Sequence, residues 1–227
     1  MDDRRSYKDT LIYSNPLKSK EDIKDFILEG KAEISFENDC MRMENALSNE
    51  LGQKANYVLW CNEIFPENIK VTWEFKPLTD IGLCILFFSA MGKNGEELFD
   101  PSLNKRTGEY PQYHSGDINA FHVSYFRRKE VDERAFHTCN LRKSYGFHLV
   151  AQGADPIPAA NDAIDFYRIS LTKLNHIITF SINDLDIFTY EDDGVTYGDF
   201  LKGGRIGFRQ LAPLIAEYKN LAVYHLT

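Results

Sequence analysis

Apolar and polar positions alternate with period two over much of this chain. Val71, Trp73 and Phe75 interleave with Lys70, Thr72, Glu74 and Lys76, the spacing that turns one strand face to a core and the other to water. Ile81 to Met91 is almost continuously apolar, which predicts a strand buried on both faces. Period two recurs through Ile118 to Arg128, Arg134 to Arg142, Phe147 to Gln152, Tyr167 to Leu171, His176 to Ile182, Leu185 to Tyr190, Arg205 to Arg209 and Glu217 to His225. One short helix is expected near the start. There Ser19, Glu21 and Asp22 offer a capping hydroxyl and acidic first-turn residues ahead of Ile23, Phe26 and Ile27, and Gly30 closes the segment. Asn183-Asp184, Asp193-Gly194 and Gly203-Gly204 punctuate the later strands. Many strands with regular turn signals predict an all-β antiparallel sandwich or jelly roll, with an up-and-down barrel as the competing closure. No linker, low-complexity stretch or repeat divides the chain, so one domain is expected over 9–227, preceded by a mobile extension at 1–8.

Composition narrows the function classes. The 227 residues are 43% hydrophobic and 26% charged, ordinary for a globular domain. Lys plus Arg number 26 against 34 Asp plus Glu, a net charge of −8, so a strongly basic nucleic-acid binder is not expected. No apolar run approaches the ~20 residues of a membrane span, and the charged start Asp2-Asp3-Arg4-Arg5 lacks the apolar centre of a secretory signal. Either a cytoplasmic location or a trimmed signal is expected, and the first is adopted. Cys40, Cys61, Cys84 and Cys139 form no CxxC pair and read as free thiols.

Residues 92–117 form a 26-residue connection, where compact domains typically use about 4–6 residues. It carries Asp100, Arg106, Tyr110, Tyr113, His114 and Asp117; the alternative to a functional flap is a cover packed by its own tyrosines. The strand after it alternates Phe121, Val123 and Tyr125 with His122, Ser124 and Arg128; the next sets Cys139 and Leu141 against Thr138, Asn140 and Arg142. If Leu149 and Ala151 share that apolar side, His148 and Gln152 join the polar one. Neighbouring strands would then gather His122, Ser124, Thr138, Asn140 and His148 into one patch suited to a hydroxyl-rich ligand, unless it is only the solvated side of a half-buried sheet. Residues 105–143 hold eight basic and five acidic residues, a net of +3 that leaves −11 for the rest. Arg106, Arg127, Arg128, Arg134 and Arg142 therefore offer guanidinium forks for a carboxylate. The six histidines show no HExxH or Cys/His spacing. No metal or cofactor is expected, apart from the possibility of a structural calcium ion on loop carboxylates.

Several motifs are long enough to be specific. Phe99-Asp100-Pro101-Ser102-Leu103, Lys105-Arg106-Thr107-Gly108, Tyr113-His114-Ser115-Gly116-Asp117-Ile118-Asn119, Ser124-Tyr125-Phe126-Arg127-Arg128 and Thr138-Cys139-Asn140-Leu141-Arg142-Lys143-Ser144 resemble the bacterial YesU-like family, as do Asn15-Pro16-Leu17, Trp60-Cys61, Gly153-Ala154-Asp155-Pro156 and Gly207-Phe208-Arg209-Gln210. The resemblance implies a concanavalin A-like jelly roll of two antiparallel sheets with one or two short peripheral helices. It also implies a link to pectin, in particular rhamnogalacturonan, without an assigned activity or catalytic set.

Two expectations follow, an enzyme on uronate-bearing oligosaccharides and a lectin-like binding protein. Elimination would use His122, His148, Tyr113 or Tyr125 in proton transfer, with Arg127, Arg128, Arg142, Asn140 or Gln210 neutralising the uronate. Hydrolysis would draw on Glu74, Asp100 and Asp117. In either case Trp60, Tyr110 and Tyr113 are candidate stacking platforms, and Arg106, His114, Ser124 and Thr138 candidate sugar contacts. The expected partner is an anionic oligosaccharide, with neither nucleic acid nor membrane.

Overall fold

Ten strands form where the pattern predicts them, together with five it did not announce. In the computed structural model, which describes residues 7–227, these are β1 (Asp9–Asn15), β2 (Ile27–Glu29), β3 (Ala32–Glu37), β4 (Cys40–Asn45), β5 (Tyr57–Trp60), β6 (Ile69–Pro77), β7 (Leu83–Gly92), β8 (Ile118–Tyr125), β9 (Thr138–Ser144), β10 (His148–Ala154), β11 (Tyr167–Leu174), β12 (Ile177–Ile182), β13 (Leu185–Glu191), β14 (Arg205–Leu211) and β15 (Ala216–Leu226). Two short helices, α1 (Pro111–His114) and α2 (Val131–Ala135), lie in connections. One sheet runs β13-β12-β11-β6-β15-β4-β3, with β1 also paired to β15; the other runs β10-β9-β8-β7-β14-β5-β2. All pairings are antiparallel, and two sheets with separate edges replace the competing barrel. None of the described helices is long and apolar enough to cross a membrane.

The sheets meet on Trp73, Phe75, Phe88, Phe121, Phe208 and their neighbours, each large side chain stabilising the fold by about 1.5–3 kcal/mol on burial. Two side-chain hydrogen bonds lie inside this layer: Trp73 Nε1 donates to Tyr125 Oη at 3.1 Å, and Tyr218 Oη donates to Gln210 Oε1 at 2.9 Å. β7 is buried on both faces, as its composition predicts, because each face serves a different core. Cys84, Leu86 and Phe88 point between the sheets. Leu83, Ile85 and Phe87 point outward and are covered by Leu98 and Tyr113 of the long connection.

Two local expectations are corrected. Residues 20–25 are successive turns, not a helix. The capping signal is real, with Ser19 Oγ bonded to Asp22 Oδ2 at 2.9 Å, but the chain must extend almost at once so that β2 can pair with β5. Arg134 to His137 precede β9 as part of α2 and its exit, where Glu130 and Glu133 complete a capping box. Of the extension expected at 1–8, residues 1–6 lie outside the described residues. Lys8 and Thr227 exchange backbone hydrogen bonds of 2.9 and 3.1 Å.

Candidate functional site

The outer face of the seven-stranded sheet carries much of the polar set read from the sequence. Phe121, Val123, Tyr125, Cys139 and Leu141 turn inward, so His122, Ser124, Asn140 and Arg142 turn outward. His122 stands opposite Arg142 and Ser124 opposite Asn140, and Gln152 continues the row beside Asn140. Thr138 joins them through Arg127, whose Nη1 donates to Thr138 Oγ1 at 2.7 Å while its Nη2 pairs with Glu133 at 2.7 Å. His148 does not belong to this row. The register shifts between Leu149 and Ala151, and His148 pairs with Lys143. The extra residue of that bulge reverses the facing of every side chain before it.

The open trough expected beneath the 92–117 flap is filled by the flap itself. Glu29 at the end of β2 is its anchor: one carboxylate oxygen accepts from Trp60 Nε1 at 2.8 Å and Tyr113 Oη at 2.9 Å, and the other lies 2.9 Å from Arg106 Nη2. Trp60 and Tyr113 are wholly buried and Arg106 nearly so. These three hold the flap down and are not available as platforms or sugar contacts. Burial also drives the Tyr113 hydroxyl far above its ordinary range, which removes it as a proton donor. Asp117 is occupied similarly, accepting from the Asn104 backbone at 2.6 Å and its amide at 2.9 Å.

Tyr110 closes the flap over His122, Oη to Nε2 at 2.8 Å. His122 is fully buried, and burial, aided by the positive charges of Arg142, His114 and Arg209, holds its pKa well below the ordinary 6.5. It is a neutral packing imidazole, sealed from solvent. His114 is likewise shifted down by partial burial, and its ring lies 4.4 Å from Phe147. Beneath Tyr110, Arg209 is buried, donates to Gly108 O at 3.0 Å, and has Nε and Nη1 without partners. Burial draws its pKa down to about 10. A depression of about 150 Å³ remains between Tyr110, Ser124, Arg127 and Arg142.

Three other candidates are elsewhere. Gln210 donates to Met43 O and Leu214 O within the inter-sheet core. Arg128 is buried and donates to Ile157 O at 2.7 Å. Glu74 lies on the opposite sheet, bonded to Asn220 at 2.8 Å.

The large cavity is at one end of the sandwich, a cleft of about 850 Å³ between the ends of β7, β8 and β9, the start of β10 and the 192–204 connection. Tyr145, Tyr197 and Phe200 line it with 48%, 37% and 50% of their surface exposed. His148 stacks on Tyr197 with ring centroids 4.5 Å apart, and Lys93 Nζ sits 3.6 Å above the Tyr145 ring. Lys143 holds the cleft wall in place, donating to both Asp192 oxygens at 2.9 and 2.7 Å and to Gly198 O at 2.8 Å. Ser144 lines the cleft with its hydroxyl buried and unpartnered. Of these residues, only His148 was singled out from the sequence. The missed signal was a second long connection with Tyr197 and Phe200 set among Gly194, Gly198 and Gly203, aromatic rings on a loop that a rigid scaffold presents to solvent.

The two facing sheets and their end cleft define a galectin-like jelly-roll protein. A crystal structure described as a protein of unknown function with galectin-like fold from Bacillus subtilis superposes with a TM-score of 0.93, at 53% identity over 98% of this chain and 99% of that one. The chain belongs to the family described as a domain of unknown function, DUF1961, whose model matches residues 10–223. It is 54% identical to the uncharacterized protein YesU of Bacillus subtilis (strain 168) over 213 residues, 94% of each chain. A wider likeness in fold reaches the kappa-carrageenase of Pseudoalteromonas carrageenovora, solved with an oligotetrasaccharide of kappa-carrageenan, at TM-score 0.59 and 10% identity over 100% of this chain and 98% of that one.

Proposed function

We propose that the protein recognises uronate-bearing oligosaccharides of the rhamnogalacturonan type in the end cleft. The observation that carries this reading is the cleft's combination of size and lining. Its volume of about 850 Å³ falls within the roughly 300–1,000 Å³ of small-ligand sites, whereas the outer-face depression of about 150 Å³ falls below it. Three exposed rings supply stacking faces for pyranose C–H surfaces. Asn119 and the unpartnered Ser144 hydroxyl supply hydrogen bonds, and Lys93 and Lys202 supply positive charge for a sugar carboxylate. The carrageenase solved with its oligosaccharide supports a glycan ligand for this fold.

Turnover by elimination is the second reading, favoured over hydrolysis by the lining itself: Asp199 is its one carboxylate among the described residues, beside His148 and lysines. Two-carboxylate hydrolysis requires a pair about 5–9.5 Å apart. In elimination, His148 takes the proton next to the lysine-neutralised carboxylate, the glycosidic C–O bond breaks, a C=C bond forms, and the departing oxygen takes up a proton. Calorimetric titration with saturated and unsaturated rhamnogalacturonan fragments tests recognition. Tyr197→Ala is expected to weaken binding about tenfold or more, from the lost burial of one aromatic face. Wild-type protein that takes up none of these fragments would refute the proposal, and a growing enoate absorbance with product of unchanged total mass would add elimination to it.

A further inference from the structure

The outer face carries a second feature that glycan recognition in the cleft does not use. Three guanidinium groups, from Arg127, Arg142 and Arg209, surround Tyr110. Arg127 is neutralised by Glu133 at 2.7 Å. Among the described residues, Arg142 and Arg209 have no carboxylate partner: Arg142 donates to Phe147 O at 3.0 Å, and Arg209 to Gly108 O and Gln53 Oε1. Like charges held together in a partly desolvated place are unfavourable unless an anion joins them. Arg142 also opens onto the depression that Ser124, Tyr110 and Arg127 help to line. Its guanidinium lies 3.8 Å from the Phe147 ring, which is 38% exposed.

The volume limits the occupant. About 150 Å³ is the share of roughly five waters at ~30 Å³ each, enough for a carboxylate and the near edge of one sugar ring. We propose that this depression is a separate acidic-sugar subsite, in which Arg142, held against the Phe147 ring, takes the carboxylate of a single uronate residue. Planar bidentate geometry favours a carboxylate for the guanidinium fork. Glu130 and Glu133 border the pocket on the α2 side, where Glu133 remains with Arg127, so the open charge is that of Arg142, with Lys129 at the rim. The choice of a sugar acid rests on the glycan reading, whereas the anion site itself does not.

The test titrates free galacturonate, galactose, acetate and inorganic sulfate into the full chain, by calorimetry or NMR shift. Galacturonate should bind, more weakly as salt rises, and at least about tenfold tighter than galactose, the worth of one charged hydrogen bond. Arg142→Gln should lower its affinity by a similar factor. Ser124→Asp places a carboxylate in the pocket; it should abolish galacturonate binding and raise the melting temperature, a result that misfolding would not give. Failure of galacturonate to bind, or unchanged binding in both Arg142→Gln and Ser124→Asp, overturns the subsite. Equal affinity for acetate or sulfate overturns its assignment to a sugar acid. Loss of galacturonate binding in Tyr197→Ala alone places the anion in the cleft and also overturns the subsite, while recognition of longer fragments there still stands.

Discussion

His122 shows how a residue with catalytic chemistry becomes structural. Its imidazole is buried, bonded to Tyr110 and surrounded by positive charge, so the folded protein resists adding a proton that the unfolded chain accepts near its ordinary 6.5. The unfolded state therefore binds more protons below that pH, and stability falls as pH falls. The expected slope reaches about 1.4 kcal/mol per pH unit below 6.5. His122→Gln keeps a polar group facing Tyr110 and removes the titration. Its urea-unfolding free energy should fall less than the wild type's between pH 7 and pH 5, with His114 supplying the same slope to both.

At the scale of elements, the flap is set by close approach as much as by polar anchors. Gly108 has φ +97°, and a Cβ there would lie 2.0 Å from Asn56 O, a backbone atom that cannot rotate away. Gly108→Ala should lift the flap from Arg209 and Gln53, costing roughly 1–3 kcal/mol or more and opening the 93–117 segment to limited proteolysis in the folded protein. The sequence disclosed the flap's length and tyrosines but not its resting place. Trp60 and Tyr113 carry no mark that separates a stacking platform from a plug; Glu29, 31 residues from Trp60 in sequence, decides it, and its strand was hidden behind a false helix signal. The row His122, Ser124, Asn140 and Arg142 was legible because β8 and β9 keep strict alternation. His148 was misplaced because one bulged residue inverts the facing of a strand while leaving its composition unchanged. The two-residue turn was legible for the opposite reason: Asn183 and Asp184 both take positive φ, 49° and 64°, a conformation their short polar side chains tolerate.

For the molecule as a whole, the period-two pattern was enough to give an antiparallel all-β fold, because long-range pairing only had to join faces already made apolar, while the choice of two sheets over a barrel came from the family resemblance. The end cleft was not legible in the same way, since it is built from strand ends and a connection whose meeting depends on topology. The four thiols report on the integrity of the assembly. Cys40, Cys61, Cys84 and Cys139 are all free and buried, and burial pushes Cys40 and Cys61 up to about 11, so neither access nor thiolate character favours reaction. A thiol reagent at neutral pH should label none of them in the native protein over minutes and all four in denaturant. Rapid labelling of native protein would mean that the sandwich opens locally.

The turn joining β9 to β10 sends Tyr145 into the end cleft and Phe147 onto the outer face, while Glu29 anchors the flap from β2, at the other edge of the same sheet. On the proposed reading, residues that choose a guest at the two rims and residues that keep the house standing are almost disjoint sets.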